Sequence, residues 1–169
     1  MIAVEIPELP SRIRTATPAD VPVIRRMIAE LAAYERAPEA ARATEEQLRT
    51  ALFGEQPTVH ALIAEDAAHE PAGFAVWFRS FSTWEGVHGI YLEDLFVVPE
   101  QRGSGLGRDL LVALARIAVH HGYARFEWWV LNWNTPSIDF YRALGAVAQD
   151  EWTTFRVTGD ALTALARRS

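Results

Sequence analysis

Two carboxylates stand side by side in an otherwise apolar run, Glu93 and Asp94 within HGIYLEDLFVV at residues 88–98. An ionised group is expensive in such surroundings, so each carboxylate needs a partner or a task. Shortly after comes the segment Arg102-Gly103-Ser104-Gly105-Leu106-Gly107. Where a glycine-rich loop opens a helix, unpaired backbone amides point outward and the helix dipole adds about half a positive charge. Glycines let a phosphate approach those amides, and the loop becomes an anion site. Two familiar phosphate loops fail on spacing. A Walker A loop ends in lysine, and the sequence contains none. The dinucleotide fingerprint G-x-G-x-x-G meets Arg108 when counted from Gly103, and Leu110 when counted from Gly105. The pattern that fits is Arg-x-x-Gly-x-Gly, Arg102 to Gly107; a plain strand–helix connection would use glycines in the same way.

For this chemistry a strand must carry Glu93 and a helix must begin at Leu106. Thr17-Pro18-Ala19-Asp20 reads as a capping hydroxyl, a proline at the first helical position and an acid in the first turn. Val21, Ile24, Ile28 and Leu31 then form one helical stripe ending near Tyr34. Thr44 with Gln47 is a capping box opening a second helix to about Leu52. Strands are expected at Ser11–Ala16, Thr58–Glu65, Ala72–Phe81, His88–Val98, Tyr123–Leu131 and Trp152–Thr158. Further helices are expected from Leu106 to His121, stopped by Gly122, and from Thr135 to Gly145, with a short one closing the chain. Adjacent strand residues such as Glu93 and Asp94 point to opposite faces unless a bulge intervenes. The sum is one mixed α/β domain over residues 11–169, with residues 1–10 a loose extension punctuated by Pro7 and Pro10.

Composition removes whole classes of function. All 16 basic residues are arginine, against 22 acidic ones, for a net charge of −6. That balance argues against a nucleic-acid partner, which calls for a basic stripe. Lacking lysine, the chain can form no Schiff base; lacking cysteine, it has no thiol nucleophile, disulfide or thiolate metal ligand. No apolar run approaches the ~20 residues of a membrane span. The opening MIAVEIPELPSR has no basic region of the secretory kind, so a cytoplasmic protein is expected. The five histidines show no ligand spacing, and no metal is assigned.

The glycine loop has a counterpart downstream. Leu131-Asn132-Trp133-Asn134-Thr135-Pro136-Ser137 leads through Tyr141 to Leu144-Gly145-Ala146. Together the two segments resemble the GNAT N-acetyltransferases over roughly residues 11–165. Within that superfamily, Ser82-Thr83-Trp84-Glu85-Gly86, Ile90-Tyr91-Leu92-Glu93-Asp94 and Leu31-Ala32-Ala33-Tyr34-Glu35 resemble the diamine (spermidine/spermine, thialysine) acetyltransferase branch. The resemblance implies a mostly antiparallel central sheet flanked by helices, acetyl-CoA as acyl donor, a small-molecule amine as acceptor, and a homodimer. Protein amines, aminoglycosides, or a non-catalytic acyl-CoA-binding module are the alternatives.

It also implies roles. The donor would be held by the strand at Leu95, Phe96 and Val97, by the loop Arg102, Gly103, Ser104, Gly105, Leu106, Gly107 and Arg108, and by Asn134 and Ser137. Holding a lysine-like amine neutral at pH 7 costs roughly 4–5 kcal/mol, and Glu93 is the residue expected to remove its proton, directly or through water. Tyr141 would return a proton to the departing thiolate. Tyr34, Glu35, Trp84, Glu93 and Glu151 would line the acceptor side, whereas Asp94 reads as a buried ion pair or a loop cap. Polyamine enzymes often carry an aspartate two residues before the Trp84 tryptophan, where this chain has Ser82. Fewer carboxylates favour a short amine over a long polycation.

Overall fold

Strands covered by helices on both faces bury consecutive residues rather than alternate ones. His60–Glu65 and Pro71–Ser82, here β2 and β3, do so over most of their length. The computed structural model describes residues 5–168 and divides into a unit ending at Trp129 and another from Val130 onward. Residues 1–4 of the expected extension lie outside the described part.

In the first unit, β1 (Ile13–Thr15), β2, β3, β4 (Val87–Val97) and β5 (Arg125–Glu127) form a sheet in that order. The first three pairings are antiparallel, and β4–β5 is parallel. Parallel neighbours need a crossover, supplied by helix α1's later counterpart: with α1 at Val21–Tyr34 and α2 at Glu45–Phe53, the crossover helix is α3, Leu106–His120. Ile24 and Met27 of α1 and Leu52 of α2 pack with Ala61, Ile63, Phe74, Val76 and Phe96 on one face of the sheet. The alternate residues Leu62, Ala64, Ala75 and Trp77 turn to the other face, where α3 buries Leu110, Leu114 and Ile117. Each such fully buried side chain contributes about 1.5–3 kcal/mol.

Local chemistry explains the element boundaries. Thr44 Oγ1 accepts from the Gln47 amide at 3.2 Å while Gln47 Oε1 accepts from the Thr44 amide at 2.9 Å, the capping box expected at α2. At α1 the outcome differs. Pro18–Asp20 forms a 3-10 turn ahead of the helix, and the Thr17 hydroxyl donates to Asp20 rather than capping. Asp20 is buried and also accepts from Arg14 Nη1 and Nη2, both at 2.8 Å, and from the Thr17 amide. The Arg14 guanidinium outweighs the burial and holds this carboxyl down at about 2. The competing charge won over the hydroxyl cap.

The strand expected over Tyr123–Leu131 is confined to Arg125–Glu127. Its partner β4 offers only Gly89–Tyr91 before its register breaks, and the ladder ends there. In the second unit, α4 (Thr135–Ala143) and α5 (Gly159–Ala166) form as expected. The strand expected at Trp152–Thr158 is absent from the described residues. Alternation marks two faces but supplies no edge to pair with, and an unpaired run is not a strand.

Candidate active site

The register of β4 decides where its carboxylates point. Leu92 lies opposite Trp77 and Asp94 opposite Val76, so Glu93 is an extra residue with no partner on β3. Val76 and Phe96 face α1 and α2, and so does Asp94; Leu92 faces α3 with Trp77. Residues two apart ordinarily share a face, so the bulge reverses the alternation at Glu93 and puts Glu93 and Asp94 on the same side. Glu35, at the C-terminus of α1, completes the group.

Electrostatics register this convergence. Asp94 is pushed up to about 6, first by burial and then by the charges of Glu93 and Glu35. Glu35 is raised by burial. No cation pairs with Asp94 among the described residues, so the ion pair or cap expected there is not formed. Ionising Asp94 in place costs about 3 kcal/mol more than in water, a cost that a bound ammonium would offset. The sign of the linkage follows. A carboxyl whose folded value lies above its unfolded one favours folding at low pH and loses that contribution as pH rises through 6. Asp94→Asn should therefore be more stable than the parent by about 1–2 kcal/mol at pH 8, with the difference roughly halved near pH 5 and gone only below about pH 3.5. Urea denaturation of both proteins at the two pH values measures it.

Beside the carboxylates runs an open edge. β5 pairs with β4 only at Gly89–Tyr91, leaving the outer edge of Leu95, Phe96 and Val97 without a strand neighbour among the described residues. The glycine loop follows. Gly103 and Gly105 adopt φ values of +80° and +91°, in the left-handed region where side chains are strained. The amides of Gly103, Gly105, Leu106, Gly107 and Arg108 donate to no backbone carbonyl among the described residues. They form a cluster of outward donors at the N-terminus of α3, the arrangement that receives phosphate.

Arg102 joins the two regions. Its guanidinium carbon lies 4.9 Å from the Tyr34 ring centroid and 5.6 Å from that of Phe96, and its Nε donates to the Val97 carbonyl at 3.2 Å. The structure thus brings together Tyr34, Phe96 and Arg102, which the sequence assigns to acceptor and donor sides respectively. Just beyond Tyr34, the α1 end is closed by Arg36 at φ +64°, with its amide bonded to Ala33 and the Ala37 amide to Ala32. An arginine in the left-handed conformation costs roughly 1–2 kcal/mol where glycine would be free. Trp84 stands 81% exposed on the turn between β3 and β4.

In the second unit, Asn134 is buried and its Oδ1 accepts from the Ser137 amide at 3.4 Å, capping α4. Ser137 therefore enters this helix start through its backbone. Tyr141 lies near the other end of α4, its ring 5.4 Å from that of Phe140. Its carbonyl accepts from the Ala146 amide, across a turn in which Gly145 has φ +92°. Glu151 is exposed in the stretch without regular structure. The bulge, the alliance of Asp94 with Glu93, and the open β4 edge escape sequence reasoning, because all three depend on which residue of a distant strand lies opposite.

Residues 24–146 match the model of the acetyltransferase (GNAT) family. A thialysine N-epsilon-acetyltransferase of Sus scrofa is 40% identical over 91% of this chain and 96% of its own length. An L-ornithine N5-acetyltransferase of Arabidopsis thaliana is 34% identical over 92% of this chain and 87% of its own. Among solved structures, an integron cassette protein from the mobile metagenome of V. cholerae superposes with a TM-score of 0.77 at 28% identity, covering 92% of this chain and 97% of that one.

Proposed function

Belonging to the GNAT acetyltransferase family, the chain is an N-acetyltransferase, and we propose that it moves an acetyl group from acetyl-CoA to a compact amine that carries a second polar or charged group. The observation that carries this reading is the convergence of Glu35, Glu93 and Asp94 on one face, beside the open edge of β4. Such a set attracts a cation, and carboxyls raised by burial and by one another are better acceptors for a proton that an attacking nitrogen gives up.

In this reading Glu93 takes the proton from the attacking nitrogen, directly or through water, and Asp94 and Glu35 hold the acceptor's positive charge. Trp84 and Glu151 belong to the acceptor side as well. A C–N bond forms as the C–S bond breaks, and Tyr141 supplies the proton that the leaving sulfur takes up. The free amides from Gly103 to Arg108 receive the diphosphate of the donor, the Leu95–Val97 edge its extended arm, and Asn134 and Ser137 complete the donor side. The reading includes a homodimer in the cytoplasm. Trp152, Phe155 and Val157, exposed on the unit from Val130 onward, supply apolar surface for a second copy to cover.

The carboxylate count decides the acceptor's length. Each added ammonium needs its own partner, and Ser82 supplies none. Ser82 Oγ accepts from the Glu85 amide at 3.2 Å, so it closes the hairpin turn, a role an aspartate also fills. We expect kcat/KM to be higher for thialysine, ornithine and short diamines than for spermine, and Ser82→Asp to shift the order toward spermine. Release of free thiol from acetyl-CoA across that panel is the measurement. A parent enzyme that prefers spermine, with an order that Ser82→Asp leaves alone, removes the charge-counting argument; no turnover with any amine removes the acceptor class.

A further inference from the structure

Arg12, just ahead of β1, reaches across to the start of α3. Its Nη1 and Nη2 both donate to the Ser104 carbonyl at 3.2 Å, and its Nε and Nη2 donate to Asp109 Oδ2 at 3.1 and 2.7 Å. Its Nη2 also lies 3.3 Å from where a Cβ on Gly105 would stand, so guanidinium and loop are in close contact.

Both partners bear on an anion at the loop. For the amides of Gly103, Gly105, Leu106, Gly107 and Arg108 to point outward together, the Ser104 carbonyl among them has to turn away from the anion. The Arg108 amide, which would be the helical partner of the Ser104 carbonyl, makes no such bond, because the backbone turns left-handed at Gly105. Arg12 takes that place and keeps the carbonyl from competing with the anion for the same amides. Asp109 presents the second difficulty. An acid in the first turn suits the helix dipole, but its charge repels a diphosphate bound at the same terminus. Arg12 neutralises that charge with a short, two-donor contact.

We propose that Arg12 is a positioning residue for the donor's diphosphate, aiming the glycine loop through Ser104 and cancelling the charge of Asp109. The proposal rests on the reading that the loop holds that diphosphate. It assigns a function to a residue outside the loop and the family motif, 92 positions from the carbonyl it holds.

The test is calorimetric titration of CoA into the parent, Arg12→Gln, Arg12→Lys, Asp109→Asn, the Arg12→Gln/Asp109→Asn double variant and Gly103→Asp. Loss of the charged contacts to both Ser104 and Asp109 predicts CoA affinity about tenfold lower in Arg12→Gln. The double variant should recover about threefold of that, because the unpaired carboxylate is gone. Arg12→Lys, which keeps the charge but loses the fork, should fall between parent and Arg12→Gln. In turnover, KM for acetyl-CoA rises and kcat holds. With S-acetylpantetheine, which lacks the diphosphate, Arg12→Gln and the parent should have equal kcat/KM. If Arg12→Gln and Arg12→Lys bind CoA like the parent while Gly103→Asp does not, the role of Arg12 is overturned and the loop reading stands. If Gly103→Asp also binds like the parent, the loop reading falls and the proposal with it. A defect equally large with S-acetylpantetheine overturns the proposal too, since Arg12 would then act on the fold at large.

Discussion

Tyr141→Phe should lower kcat by about 10²–10⁴-fold while leaving KM for acetyl-CoA nearly unchanged. The substitution removes one oxygen. The Tyr141 carbonyl still accepts from Ala146, the turn at Gly145 is untouched, and the ring keeps its packing against Phe140. In the proposed role, what disappears is a proton donor needed only as sulfur takes on charge, so the loss is expected in the transition state and not in binding. A phenol near pKa 10 is a weaker acid than a thiol near 8.5, and the transfer is favourable only where the site stabilises the phenolate or the thiolate is still strongly basic. A second expectation follows from the same comparison. An acetyl thioester whose thiol is a much stronger acid leaves without help, so the gap between parent and Tyr141→Phe should narrow with such a donor. A variant with parental kcat, under conditions where chemistry limits turnover, reduces Tyr141 to a packing residue.

Gly103→Asp should weaken CoA binding by about 100-fold, a carboxylate placed among donors meant for phosphate. The backbone itself imposes a cost, because φ is +80° there, so the comparison needs a matched control. Gly122, just past the C-terminus of α3, has φ +65°, and like Gly103 it has open space where a Cβ would go. Gly122→Asp thus carries a similar conformational penalty of about 1 kcal/mol without approaching the loop, and CoA affinity should change by less than about threefold. Calorimetry on both variants, with urea midpoints to confirm similar folding, separates charge at the loop from strain. Equal affinities for CoA in the two would mean that the free amides from Gly103 to Arg108 hold no phosphate.

The parts of the molecule legible in the sequence are those governed by nearest neighbours. The Thr44–Gln47 box, the apolar stripe of α1 and the glycine-broken entry to α3 each depend on residues within a turn or two, and the structure forms all three. Glu93 stands out because a carboxylate is out of place in its own strand. Asp94 carries the same signal, but its meaning depends on β3. Only the pairing of Leu92 with Trp77 and Asp94 with Val76 turns it toward Glu93 and not toward a cation. Asp20 likewise owes its charge partner Arg14 to another element, while it still accepts from the Thr17 amide at the helix start. The strand expected at Trp152–Thr158 does not form among the described residues, since a sequence pattern by itself supplies no pairing partner.

The extra residue in β4 makes that strand two segments of opposite parity placed end to end. From Val87 to Leu92 its side chains keep one alternation and its outer edge receives β5; from Asp94 to Val97 the alternation is inverted and the edge is open. The hairpin turn that carries Trp84 belongs to the first segment and the open edge of Leu95–Val97 to the second. Lengthening both arms of the hairpin by two residues preserves both parities, so the Trp84 turn can be reshaped without touching the open edge. Removing Glu93 alone merges the segments into one strand. Leu92 would still pair with Trp77 and Asp94 with Val76, so every remaining side chain keeps its face, and what is lost is the extra carboxylate beside Asp94.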